Sequence, residues 1–237
     1  MIAEKIDRPV CTAGRKTTAP IRVLVADDHA IIRAGVRKVL ADQSDIVVAG
    51  EASDGQEALQ QLRHNEYDLL LLDLCMPGRS GIELLKQVNN QYPRLAVLIL
   101  SSHREDQYAV RVLRAGAVGY VTKESAPQVL VPAIRKVAGG GRYISPFLAE
   151  KLLFEWGGAE KRPLHSSLSD REYQILIMIA SGKNASTIAE ELALSVKTVS
   201  THKLRLQQKL GIRNITGLVQ YALKNRLIDL HVGAFAS

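Results

Sequence analysis

The chain has 237 residues, longer than one modal domain, and its 46% hydrophobic and 23% charged content fits a folded globular chain while excluding a disordered or collagen-like one. No stretch approaches the ~20 uninterrupted apolar residues of a membrane-spanning helix. The N-terminus lacks a signal-peptide core, and two cysteines, Cys11 and Cys75, cannot build a disulfide scaffold or a structural zinc site, so a soluble cytoplasmic protein is expected. The net charge of +7 is uneven: residues 21–138 carry 14 basic and 14 acidic groups, residues 166–237 carry 9 and 5. Two unlike domains are expected, the second suited to nucleic acid, although a charge surplus alone also fits a solvated surface.

Residues 1–20 read as a disordered tail. From Ile21 short apolar runs alternate with amphipathic stretches. The runs are Ile21–Ala26, Ile46–Ala52, Asp68–Asp73, Leu95–Leu100 and Val118–Thr122; helical segments are predicted near His29–Asp42, Gly55–His64, Gly81–Gln91, Glu105–Ala115 and Ala126–Val137. Near-continuous Val, Ile and Leu in each run signals strands buried on both faces, and strand–helix alternation signals a parallel sheet. Residues 21–138 are therefore expected to form an α/β doubly wound, five-strand parallel sheet of flavodoxin-like type, with its ligand site at the carboxyl ends of the strands.

Residues 139–165 read as a connection: a glycine stop, an amphipathic segment over Ser145–Trp156, and a flexible linker over Gly157–Ser167. The rest, residues 166–229, is predicted all-α with four helices, before a tail at 230–237. Ser169 and Glu172 have capping-box spacing, Ser186–Ser195 is a short helix, Val196–Gly211 a longer one ending at glycine, and Asn214–Ile228 closes the set. Two helices across a tight connection, the second rich in basic and hydroxyl residues, suggest a helix-turn-helix.

Asp27 and Asp28 follow the first strand and Asp73 ends the third, so three carboxylates converge at one sheet edge. Carboxylates this close repel, and a hard divalent cation such as Mg²⁺ resolves the conflict. Ser101 and Lys123, after the fourth and fifth strands, are a hydroxyl and a cation able to hold phosphoryl oxygens at the same edge.

The segments ADDH (Ala26–His29), LLDLCMPG (Leu71–Gly78), LILSS (Leu98–Ser102) and GYVTK (Gly119–Lys123) resemble the receiver domain of two-component response regulators. With the C-terminal helices, the chain resembles the NarL/FixJ class with a LuxR-type output domain, over about residues 21–229. The resemblance implies that Asp73 is the phospho-acceptor. It implies that Asp28, Asp73 and the backbone carbonyl of Cys75 hold Mg²⁺, with Asp27 acting through water. Lys123 would bind the phosphoryl group, Ser101 would reorient towards it, and Tyr120 would change rotamer with it. Cys75 and His103 occupy the positions that influence dephosphorylation. A sensor histidine kinase as partner, double-stranded DNA as target and a homodimer on that DNA follow from the same resemblance.

Taken singly, each group has a plainer reading: Asp28 as a helix cap, Asp73 as a loop residue, Lys123 as a solvated cation, Tyr120 as packing. Only their joint placement on successive strand ends favours a site. His29 and His103 have no metal-ligand spacing and are not read as zinc ligands. A phosphatase of the haloacid-dehalogenase type would need a second aspartate two residues after the nucleophile, where Cys75 stands, and no P-loop or nucleophile elbow is present. No enzyme is expected, beyond self-phosphorylation from a donor and slow self-hydrolysis.

Helical projection of Val196–Leu210 places Val196, Val199, Lys203, Leu206 and Leu210 on an apolar face and Lys197, Thr201, Leu204, Arg205 and Gln208 opposite. An outward leucine among donors suits a major groove, where an apolar group meets a thymine methyl. The run TVSTHKLRLQQKL matches the family pattern and makes Ser200, Thr201 and Leu204 candidates for base contact, with Lys197, Lys203, Arg205 and Lys209 for phosphates. His202 reads as structural. The last helix, with Leu218, Tyr221 and Ala222, resembles the segment through which such domains pair on DNA, and the domain's own core is the alternative role for the same residues. Two other functions stay open: a phosphorylation-independent DNA binder with a structural receiver, and a phospho-switched module acting through protein contacts.

Overall fold

The computed structural model describes residues 19–76, 81–102, 105–145, 148–149, 163–225 and 227–228. The chain forms two compact units, Met1–Glu150 and Lys151–Ser237.

In the first unit, strands β1 (Ile21–Ala26), β2 (Ile46–Ala52), β3 (Leu69–Leu72), β4 (Ala96–Ser101) and β5 (Gly119–Thr122) alternate with helices α1 (Ala30–Ala41), α2 (Gly55–His64), α3 (Gly81–Gln91), α4 (Glu105–Arg114) and α5 (Ala126–Ala138). The sheet is parallel in the order β2-β1-β3-β4-β5. Every residue of β3 and β4 is buried, as continuous apolar runs require when helices cover both faces. Local signals place the helices. Asp54 caps α2, its carboxylate accepting the Gln56 and Glu57 N–H groups at 2.8 Å. The order puts β1 beside β3 with Ala26 opposite Leu72, so the residues that follow each strand, Asp27 and Asp73, are neighbours.

The sheet continues past the expected boundary at residue 138. Tyr143 pairs in parallel with Gly119: its N–H donates to the Val118 carbonyl at 3.0 Å, and its carbonyl accepts the Tyr120 N–H at 3.1 Å. This covers the free edge of β5. Glycine is required at 119 by the close approach, since a Cβ there would lie 2.7 Å from the Tyr143 carbonyl oxygen. Most of the segment Ser145–Trp156 lies outside the described residues.

In the second unit, a 3₁₀ turn (Leu164–Ser167) precedes α6 (Asp170–Ala180), α7 (Ala185–Glu191), α8 (Val196–Leu210) and α9 (Ile215–Lys224). The turn stands where a flexible linker was expected to end. It is held because the His165 N–H donates to Tyr221 Oη at 3.1 Å and Ser167 Oγ donates to the Leu164 carbonyl at 2.7 Å. Ser169 and Glu172 close the anticipated capping box, and Asn184, Ser195 and Asn214 cap the three following helices. Gly211 ends α8 in the left-handed region, φ 69°. The turn between α7 and α8 places Ala193 at φ 50°, a conformation that costs a non-glycine residue about 1–2 kcal/mol.

Ile175, Leu176, Ile188, Val199, Leu206 and Leu218 are at most 1% exposed and form the core of this unit. Leu218 and Ala222 are both fully buried, so of the two roles open to them the domain core is the one they fill. Val196, projected onto the apolar face, is instead 47% exposed. As the first residue of α8 it precedes the turn that packs on α6.

Candidate functional site

The carboxyl ends of β1, β3, β4 and β5 assemble one polar pocket in an apolar sheet. Backbone bonds fix it: the Asp73 N–H donates to the Ala26 carbonyl at 2.9 Å, the Asp27 N–H to the Ala52 carbonyl at 3.1 Å, and the Lys123 N–H to the Ser101 carbonyl at 2.8 Å. Asp27 and Asp73 are each 1% exposed. Lys123 Nζ lies 2.7 Å from Asp27 Oδ2, an ion pair not aligned as a hydrogen bond, and donates to Asp73 Oδ2 at 2.8 Å. One ammonium therefore serves two buried carboxylates.

Burial pushes the Asp73 carboxyl above the ordinary aspartate value; Lys123 opposes this and the charge on Asp27 adds to it. Burial alone would lower Lys123, but the attraction of Asp73 and Asp27 outweighs it and its pKa is raised. The second oxygen of Asp73, Oδ1, is buried and makes no hydrogen bond. Asp28 is half-buried beside it, and its Oδ1 is likewise without one. Three carboxylates, with buried oxygens of Asp28 and Asp73 lacking a hydrogen bond, fit a hard divalent cation such as Mg²⁺. Cys75 is half-buried, with its backbone N–H directed at the Asp73 carboxyl.

Ser101 is fully buried at the end of β4 and Tyr120 is 2% exposed on β5. Both side chains lie within the packed core, Ser101 one hydrogen bond from the pocket through its carbonyl, which accepts the Lys123 N–H. His103 lies outside the described residues.

His29 belongs to the pocket although its spacing gave no sign of it. Its Nδ1 lies 2.7 Å from Asp28 Oδ1 and 3.4 Å from Asp27 Oδ1, and its backbone N–H donates to Asp27 Oδ1 at 2.9 Å. The available signal was adjacency to the aspartate pair, which becomes informative only when the chain turns from β1 into α1.

On α8, Lys197, Ser200, Thr201, Leu204 and Arg205 are exposed and Lys203 is half-buried. Leu204 is 57% exposed, an apolar group set among donors on an otherwise polar face. Thr201 Oγ1 donates to the Lys197 carbonyl at 2.9 Å, leaving its lone pairs outward. Lys209, also exposed, has its Nζ bound to Glu172 Oε2 at 2.6 Å, a buried carboxylate that the other basic residues of this helix do not share.

Comparison with known proteins matches residues 23–135 to the response regulator receiver domain and residues 166–222 to the bacterial regulatory proteins of the luxR family. The chain is 38% identical over 210 residues to the response regulator UvrY of Escherichia coli, covering 88% of this chain and 96% of that one. It is 38% identical over 216 residues to the oxygen regulatory protein NreC of Staphylococcus carnosus, covering 88% and 100%. Among solved structures, it resembles the RcsB response regulator of Salmonella typhimurium with a TM-score of 0.63 and 29% identity, over 86% of this chain and 96% of that one. RcsB bound to the rprA promoter with the phosphomimetic BeF₃⁻ aligns with a TM-score of 0.59 and 31% identity, over 85% and 98%.

Proposed function

The chain belongs to the NarL/FixJ class of two-component response regulators, with a receiver domain and a LuxR-type output domain, and we propose that phosphorylation of Asp73 by a partner histidine kinase in the cytoplasm controls its binding to DNA. The observation that carries the proposal is Asp73 itself, a buried carboxylate at a strand end, paired to Lys123 and with one oxygen making no hydrogen bond. A carboxylate oxygen of Asp73 forms a bond to the donor's phosphorus as the donor's own bond to phosphorus breaks. The electron pair leaves with the kinase imidazole or, for a small donor, with acetate.

Lys123, released from part of its pairing as Asp73 loses its charge, holds a phosphoryl oxygen. Asp28, Asp73 and the Cys75 carbonyl, with Asp27 contributing through water, would hold Mg²⁺, which would offset charge on the phosphoryl oxygens. Ser101 and Tyr120 read the change by reorienting, and the receiver shifts between two states. Any catalysis by the chain is limited to accepting this group and slowly hydrolysing it.

The output is α8 laid into the major groove of double-stranded DNA. Ser200, Thr201 and Leu204 meet base edges and Lys197, Lys203 and Arg205 meet phosphates. Two copies on a two-fold site are the expected form, supported by the solved structure of two RcsB dimers bound to two parallel DNAs.

Intact mass after incubation with acetyl phosphate and Mg²⁺ tests the acceptor. One added phosphoryl group on the native chain and none on Asp73→Asn supports the proposal, while labelling of Asp73→Asn moves the acceptor elsewhere. No addition to either directs attention to a partner-specific donor or to constitutive DNA binding.

A further inference from the structure

The acidic pocket contains a nitrogen that the phosphoryl chemistry leaves without a role. We propose that His29 supplies an imidazole ligand to the divalent-cation site, so that the site binds Mn²⁺ and later first-row ions with an affinity that Asp27, Asp28 and Asp73 alone do not provide. This rests on the cation-assisted reading above and names a ligand that reading does not use.

Three observations converge on it. His29 Nδ1 and one oxygen from each of Asp27, Asp28 and Asp73 all lie within 4.8 Å of one another. Ligands on adjacent corners of an octahedral ion stand about 3 Å apart when each bond is about 2.1 Å. The separations from Nδ1, 2.7 Å to Asp28 Oδ1 and 3.4 Å to Asp27 Oδ1, bracket that edge.

The second observation is orientation. Asp28 Oδ1 is buried and makes no hydrogen bond even with Nδ1 at 2.7 Å, so the two atoms are close without sharing an aligned proton. A carboxylate oxygen and a ring nitrogen held side by side are what a single ion accepts once the nitrogen carries no proton. The third is division of labour. Lys123 takes Oδ2 of both Asp27 and Asp73, leaving Asp73 Oδ1 buried and without a hydrogen bond. The ring is anchored near these oxygens because its own backbone N–H is bonded to Asp27 Oδ1 at the start of α1.

Oxygen-only sites suit Mg²⁺, whereas a mixed set of imidazole and carboxylate favours first-row transition ions. His29 is 60% exposed, so its replacement leaves the core of the receiver intact.

The test uses the full chain with Mn²⁺ as the spectroscopic probe and Mg²⁺ as the oxygen-preferring reference. Pulsed EPR of the Mn²⁺-loaded native protein is expected to show hyperfine coupling to a directly bound nitrogen, lost in both His29→Ala and His29→Asn. Calorimetry is expected to show Mn²⁺ affinity falling about tenfold in these variants, with Mg²⁺ affinity changing less than about threefold. Nitrogen coupling that persists in the variants, its absence from the loaded native protein, or equal losses for the two ions would each overturn the role of His29. Asp28→Asn, which removes an oxygen ligand, should weaken both ions. If the native chain binds neither ion, the cation-assisted reading of the pocket falls, and the ligand role of His29 with it.

Discussion

Lys209 Nζ on α8 lies 2.6 Å from Glu172 Oε2 on α6, and that same oxygen accepts the Ser169 N–H at 2.8 Å. One buried carboxylate thus completes the capping box of the first output helix and ties it to the helix that carries the proposed base-reading face. Burial would raise the Glu172 carboxyl, but the Lys209 and Ser169 hydrogen bonds outweigh it and hold it below the ordinary glutamate value.

Lys209→Ala should therefore lower the stability of the output domain by roughly 1–3 kcal/mol, the cost of leaving a buried charged acceptor short of a partner. A depressed carboxyl contributes stability that is present above its ordinary value of 4.5 and is lost as pH falls through the folded value. Thermal melts of native and Lys209→Ala should differ at neutral pH and converge in acid. A gap that does not narrow below pH 4.5 would assign the loss to packing.

The same contact sets Lys209 apart from the cations proposed to face DNA. Lys197→Ala and Arg205→Ala should weaken binding to all sequences and each reduce the slope of log affinity against log salt by about 0.9, one phosphate's worth of released counterion. Lys209→Ala should leave that slope unchanged. Leu204→Ala should act differently again, costing about 1 kcal/mol of discrimination at one base pair with no change in slope. Salt titrations on specific and scrambled duplexes read all four outcomes.

Asp73→Asn should melt higher than the native chain near neutral pH, by a few degrees for about 1 kcal/mol. Burial raises the Asp73 carboxyl, so its ionised form costs the folded state; the stability this group contributes is complete below its ordinary value of 3.8 and is lost as pH rises through the folded value. The amide removes that cost while Asp27 keeps Lys123 paired. The advantage of the variant should shrink as pH approaches 4, and a variant that melts lower at neutral pH would show that the Lys123 contact dominates.

How far the sequence could be read depended on how local each signal was. β1, β2 and α2 have the same ends in the structure as in the sequence, because each is bounded by a change of hydrophobic period or by an Asp, Asn or Gly. The convergence of Asp27, Asp73 and Lys123 was legible because strand ends in a parallel sheet share one edge. Lys209 on Glu172 and Tyr143 on the edge of β5 were not, since each depends on a long-range approach that no periodicity encodes, and His29 was not because its adjacency to Asp27 and Asp28 gives no direction until the chain turns from β1 into α1. Val196 failed for a different reason: a helical wheel assigns faces but not which turn a neighbour covers.

Gly119→Ala tests the strand-edge clip. The added methyl would meet the Tyr143 carbonyl oxygen at 2.7 Å and Leu98 Cδ1 at 2.8 Å, and backbone cannot yield as a side chain can. A destabilisation of the receiver by about 1–3 kcal/mol is expected, with faster amide exchange at Tyr120 and Tyr143, whose N–H groups hold the clip. Unchanged exchange at both would show that the segment does not depend on the close approach.

Lys123→Ala isolates the electrostatics of the pocket. Asp27 and Asp73, each 1% exposed, share this one ammonium at 2.7 and 2.8 Å. Without it two buried carboxylates face each other uncompensated, a change that costs roughly 3–5 kcal/mol. A divalent cation held by the same carboxylates supplies the missing charge, so Mg²⁺ should restore much of the lost stability, by about 1.4 kcal/mol for each tenfold excess over its dissociation constant. The native chain, whose Lys123 already offsets one of these two charges, should gain less from the same Mg²⁺. Thermal melts of both proteins across an Mg²⁺ series, against a matched Na⁺ series for ionic strength, make the comparison. Equal gains in native and variant would mean that Lys123 and the cation do not compensate the same charge, and the division of carboxylate oxygens between them would have to be abandoned.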